Sequence, residues 1–186
     1  RRAWSQFLMN LREAKSDAQN FIRELENDHA QAPKGWGVNH QYLELGNYSE
    51  QLKRYFDLFG RDRVFPIFFE DYKKNPEDVL AGICAFLKID DSFKFDFSEK
   101  RNSSSLPRNS GLNRFLVQTG ILASAKKFVP HSLRQKLAGA LYSDKNIPAL
   151  QEADANWLRE YYQEEVGNLS ELLGIDITEK WPEFGR

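Results

Sequence analysis

The sequence predicts a layered α/β fold rich in helices, and three observations predict it. Apolar residues recur at helical spacing along most of the 186 residues. One short run, Val64-Phe65-Pro66-Ile67-Phe68-Phe69, has the aromatic and β-branched make-up of a buried strand, although Pro66 removes one ladder donor. That run lies between two amphipathic segments, and the order helix, buried strand, helix builds part of an α/β layer.

Each element has its own local reason. Trp4, Phe7, Leu8 and Leu11 place a helix over residues 2–15. Arg1 and Arg2 give its first turn the wrong sign for the helix dipole and no cap precedes it, so upstream chain is expected. Ser16 is expected to cap a second helix over 17–29, with Phe21, Ile22 and Leu25 on one face. Residues 32–37 read as a loop from their Pro and Gly content. A third helix spans 48–59, with Leu52, Tyr55, Phe56 and Phe59 inward and Gly60 as its stop. Asn75-Pro76-Glu77-Asp78 combines a cap, a first-position proline and first-turn acids, and starts a helix that runs to Lys88. Phe93, Phe95 and Phe97 alternate as in a strand-like edge. After a polar loop at 101–111, helices are expected over 112–128, 131–140 and 149–173, the last ended by Gly174. A single strand makes no sheet, so its parallel neighbours are expected in a part of the domain outside these residues.

At roughly 150 residues per domain, the length predicts one domain over 1–186. Cys84 is the sole cysteine, which excludes an internal disulfide and a multi-cysteine zinc site. No apolar run is long enough to span a membrane, and the expected compartment is the cytoplasm. Charge is uneven. Residues 94–145 carry 10 basic and 3 acidic groups, whereas 146–186 carry 3 and 9. The basic stretch suits an anion, or it pairs internally with the acidic tail. Nucleic-acid binding is not expected, because the basic groups lack interleaved aromatics.

Neither Gly-x-x-x-x-Gly-Lys-Ser/Thr nor Gly-x-Gly-x-x-Gly occurs, and His29, His40 and His131 have no metal-ligand spacing. Glu70-Asp71 closes the apolar run, where α/β sheets bind ligands, but an acid pair there also caps the next turn. Cys84, among Ile83 and Phe86, reads as an inert core thiol.

The order of motifs resembles the carboxy-terminal two thirds of a sulfotransferase that uses 3′-phosphoadenosine-5′-phosphosulfate (PAPS), the group with bacterial and heparan-sulfate-type members. Arg2-Ala3-Trp4-Ser5-Gln6-Phe7 is similar to that family's Arg-Ala-x-Ser-x-aromatic helix opening. Tyr42 to Tyr48, followed by Gln51-Leu52, is similar to its Tyr-x-x-x-Gly-x-Tyr-x-x-x-Leu segment. Phe68-Phe69-Glu70-Asp71-Tyr72 with Asn75-Pro76 resembles the next strand and helix start, and Phe86-Leu87-Lys88-Ile89 resembles Phe-Leu-Gly-Ile with Lys88 in the glycine position. Leu158-Arg159-Glu160-Tyr161-Tyr162, then Leu172, Leu173, Gly174 and Trp181, resemble the closing helix.

The resemblance implies the helix-rich portion of a P-loop nucleotide-kinase-like three-layer fold with a parallel sheet. The amino-terminal phosphosulfate loop is absent from these residues. It implies transfer of a sulfuryl group from PAPS to a hydroxyl or amine of a small-molecule or carbohydrate acceptor, with no metal. The chain alone is then incomplete and inactive, completed by an amino-terminal half of the same domain. On the donor side the resemblance points to Ser5, and to Arg101, Asn102, Ser104 and Arg108 in the loop that would fold over the nucleotide. Hydroxyls and guanidinium groups in such a loop suit a multiply charged phosphate. On the acceptor side it points to His40 and Tyr42, with His40 the one candidate base.

Two other readings remain open at this stage. One is a non-catalytic, sulfotransferase-like helical interaction module. The other is a phosphate-transferring kinase relative.

Overall fold

A computed structural model describes residues 2–16, 20–30, 41–97, 105–122, 129–145 and 147–185, with the side chains of His131 and Gln135 left aside. Eight helices are described: α1 (Arg2–Arg12), α2 (Phe21–Ala30), α3 (Tyr48–Phe59), α4 (Phe69–Lys74), α5 (Pro76–Leu87), α6 (Ser110–Gln118), α7 (His131–Leu141) and α8 (Glu152–Leu173). Two short strands, β1 (Leu106–Pro107) and β2 (Tyr142–Ser143), pair antiparallel, Pro107 opposite Tyr142. The chain divides into two compact units, one of residues 1–46 and 101–155, the other of 47–100 and 156–186.

In the first unit, α1 buries Ala3, Phe7, Leu8 and Asn10. Its aromatic residues meet α2: Phe21 lies 5.1 Å from Trp4 and 5.2 Å from Phe7, ring centre to ring centre. Leu25 and Leu43 are fully enclosed. Asp28 is buried with them and accepts the Leu43 backbone N–H at 2.8 Å, which ties α2 to the turn that follows. The expected start of the second helix at 17 lies outside the described residues. α2 starts at Phe21, where the apolar face begins, and the Ser16 hydroxyl donates to the Glu24 carboxylate at 2.7 Å, a charge-assisted bond stronger than one to a backbone group.

The core of the second unit is Val166, Leu169 and Ile177, covered by Tyr48, Leu52, Phe68, Leu173, Trp181 and Phe184. Both the N–H and the hydroxyl of Ser49 donate to the Glu165 carboxylate at 2.6 Å, which fixes the start of α3 against α8. Asn75 caps α5 as expected, accepting the Asp78 N–H at 3.3 Å. Gly60 (φ 85°) and Gly174 (φ 70°) stop α3 and α8.

Three expectations are corrected. Residues 64–69 form no strand: the backbone is extended at Val64 and Phe68, but no ladder partner lies among the described residues. Phe65 instead stacks on Phe86 of α5 at 5.1 Å, and the run ends in α4, whose first turn takes Glu70 and Asp71. The parallel sheet is therefore not formed among the described residues, and their only sheet is the antiparallel pair. Phe93, Phe95 and Phe97 have no ladder partner among the described residues either and are exposed, touching one another ring to ring. The helix expected over 112–128 stops at Gln118, because Gly120 takes a left-handed conformation (φ 72°); residues 123–128 lie outside the described set. Among the described residues, no helix is long and apolar enough to cross a membrane.

Candidate anion site on the first unit

Of the donor- and acceptor-side residues named from sequence, the described ones, Ser5, Tyr42 and Arg108, belong to the first unit. Ser5 is exposed in the first turns of α1. Seven residues later, two helical turns on, Arg12 returns to the same face, about 10 Å along the axis. Sequence reasoning passed over Arg12; the i, i+7 spacing from Ser5 was the signal that could have found it.

Arg12 ends α1 at a junction held by polar groups. Its carbonyl accepts the Asn113 side-chain amide at 2.8 Å, and Asn113 Oδ1 accepts the Tyr142 hydroxyl at 2.8 Å. Asn113 is buried, and both bonds are partly buried. The Arg12 guanidinium lies over the Tyr142 ring, 5.0 Å from its centre. Across the strand pair, the Arg108 N–H donates to the Leu141 carbonyl at 2.9 Å, so Arg108 leaves the sheet beside Tyr142. Asn109 then caps α6, accepting the Leu112 N–H at 2.9 Å. The Arg12 guanidinium and the Arg108 backbone thus stand beside one tyrosine, and neither arginine makes an ion pair among the described residues.

Tyr42 is placed differently from the acceptor-side role given to it. It is enclosed in the core, and its hydroxyl accepts from the Asn10 side-chain amide at 2.7 Å. Asn10 is itself held by Gln6 at 3.0 Å. Burial pushes the Tyr42 hydroxyl far above its ordinary range; the Asn10 bond opposes the rise and Glu24 and Asp28 add to it. Tyr42 therefore packs in the core and anchors Asn10. His40, Arg101, Asn102 and Ser104 lie outside the described residues. Among the described residues, no group of three or more His, Cys, Asp or Glu side chains is placed to hold a metal ion.

A family model described as a sulfotransferase domain matches residues 6–170, well over half of the chain. The chain belongs to the sulfotransferase domain family. That match crosses both compact units and includes Arg12, Arg108, Asn113 and Tyr142. No curated protein and no solved structure matches this sulfotransferase-family chain. The family is of α/β type, and this member is helix-rich with a small two-stranded sheet.

Proposed function

We propose that the chain is the part of a sulfotransferase that holds the 3′-phosphate of PAPS, and that the reaction moves the sulfuryl group to an acceptor hydroxyl or amine. The observation that carries this reading is the Arg12 guanidinium over Tyr142, with the Arg108 backbone beside the same residue across the strand pair and no ion pair to either arginine among the described residues. Arginine stays charged at every working pH and its planar fork matches phosphate oxygens. Two such groups with no carboxylate partner among the described residues fit an anion of more than one charge. Ser5 adds a hydroxyl on the same helix face as Arg12.

In the reaction, the bond from sulfur to the phosphate oxygen of PAPS breaks as a bond to the acceptor oxygen or nitrogen forms. The acceptor proton passes to a base, and 3′-phosphoadenosine-5′-phosphate leaves. This chain's own part is to bind and orient: Arg12 and Arg108 take the 3′-phosphate, and Ser5 donates to it. His40 is the base the sequence offers. Arg101, Asn102 and Ser104 are assigned to the same phosphate from their place ahead of β1. The bonds of Asn113, Tyr142 and the strand pair hold the backbone at Arg12 and at Arg108 in fixed relation, which limits the rearrangement that binding would require.

The test is calorimetric titration of the 186-residue chain with 3′-phosphoadenosine-5′-phosphate and with ATP. No phosphate-cradling Gly-x-x-x-x-Gly-Lys-Ser/Thr loop occurs in these residues, so binding is expected to be weaker than micromolar and to favour the 3′-phosphorylated nucleotide. A preference for ATP would overturn the donor assignment. Micromolar affinity would overturn the view that these residues hold only one side of the donor.

A further inference from the structure

Residues 93–97 of the second unit read Phe93-Lys94-Phe95-Asp96-Phe97. All five are exposed, Phe93 by 71%. Phe95 lies 4.9 Å from Phe93 and 6.2 Å from Phe97, ring centre to ring centre. The three rings form one row, and Lys94 and Asp96 alternate with them in sequence, which is the side-chain order of a β-strand. A turn opens the run: Asp90 accepts the Ser92 N–H at 3.1 Å and the Ser92 hydroxyl at 2.5 Å. No ladder partner for the run lies among the described residues. An exposed row of this kind is a template for pairing with another chain.

We infer that residues 93–97 pair, antiparallel, with the same residues of a second copy of this chain. The run is complementary to itself. With Phe95 opposite Phe95, each Phe93 faces a Phe97 and each Lys94 faces an Asp96. The six rings then share one face, and two pairs of opposite charge share the other. The contact uses the same residues on both copies, so it closes at two. Charge also rejects the neighbouring arrangements. Centring the pair on residue 94 or 96 sets Lys94 against Lys94 or Asp96 against Asp96, and a parallel pair in register does both. A slip of one residue sets each charge against a ring. The Asp96 carboxylate accepts from several donors at once, so the Lys94 ammonium of the second copy adds to the contacts it has within its own chain. The formal charges of the run sum to zero, which gives an anionic bilayer or a nucleic acid no charge to bind. A strand pair this short falls well below the roughly 20–30 residues a side of a standard interface, so its dissociation constant should be on the order of 100 µM.

The experiment is sedimentation equilibrium of the full chain from about 10 µM to about 1 mM, a range that brackets the expected constant. A reversible monomer–dimer equilibrium is expected. Lys94→Asp places four acids across the pair and Asp96→Lys places four bases there, so each variant alone should dimerise on the order of ten-fold more weakly. An equal mixture of the two variants should recover association, because every charge then faces its opposite. Both positions are exposed, and a urea melt of each variant checks that folding is intact. A second measurement reads the register with both charges left in place: under mild oxidation Phe95→Cys should cross-link to a dimer, since opposed residues lie within disulfide reach. Leu58→Cys, on α3 and 76% exposed, should not. A chain that stays monomeric at about 1 mM would overturn the inference, since that is ten times the expected constant. So would assembly beyond two copies, single variants that dimerise as well as the unaltered chain, a mixture no better than either variant alone, or equal cross-linking at positions 58 and 95.

Discussion

The Tyr142 hydroxyl donates to Asn113 Oδ1 at 2.8 Å, and through that one amide the end of α1, the start of α6 and strand β2 are tied together. Asn113 uses its amide on the Arg12 carbonyl and its oxygen on Tyr142, so both polar ends of this buried side chain have a partner. The bonds span sequence separations of 101 and 29 residues. They therefore hold tertiary structure rather than a local turn.

Removing the amide should be costly. Asn113→Ala leaves the Arg12 carbonyl and the Tyr142 hydroxyl without their partner and should lower stability by about 1–3 kcal/mol in urea denaturation. Tyr142→Phe should cost about 1 kcal/mol. The double variant should lose less than the sum of the two, because both changes remove the same bond. Strict additivity would show that the two groups act independently.

Lys88 ends α5 in the left-handed region at φ 56°, with its N–H on the Ala85 carbonyl and the Ile89 N–H on the Cys84 carbonyl. Glycine is the residue that takes this conformation without strain. Lys88→Gly should raise stability by about 1 kcal/mol, measured by the shift of the urea midpoint at constant slope. A loss of stability would mean that the lysine side chain contributes more than its backbone strain costs.

Tyr42 sets an alkaline limit. Its hydroxyl ionises near pH 10 in the unfolded chain but well above that in the fold, because burial disfavours the phenolate. Above about pH 10 the unfolded state holds fewer protons than the folded one, so stability falls as pH rises. Below that pH the term is constant. Denaturation followed from pH 8 to pH 11 should show the fall begin near pH 10 and flatten in Tyr42→Phe, with that variant less stable throughout from loss of the Asn10 bond.

What was legible in the sequence is what local chemistry decides. α3 and α5 begin and end where Gly60 and the Asn75-Pro76 start put them, since a cap, a proline and a glycine act within one turn. α4 was missed because its first residue, Phe69, closes an apolar run that reads as strand, and six residues give too short a period to outweigh it. The run at 64–69 shows the converse: strand composition without a neighbour makes no ladder. Motif order names Ser5 and Arg108 only as candidates. Arg12, Asn113 and Tyr142 could not be joined from sequence, because their contacts close between residues far apart in the chain. Tyr42 was placed on the acceptor side by motif order, whereas its burial follows from packing against Phe21 and Asn10.

The most direct measurement compares 3′-phosphoadenosine-5′-phosphate with adenosine 5′-monophosphate, which differ by the 3′-phosphate alone, on the unaltered chain and on Arg12→Ala and Arg108→Ala. The account predicts that the unaltered chain prefers the 3′-phosphorylated nucleotide by at least about ten-fold, the scale of one charge-assisted hydrogen bond, and that each variant loses most of this preference with its melting behaviour unchanged. Equal affinity for the two nucleotides, or a preference that survives in both variants, would contradict it.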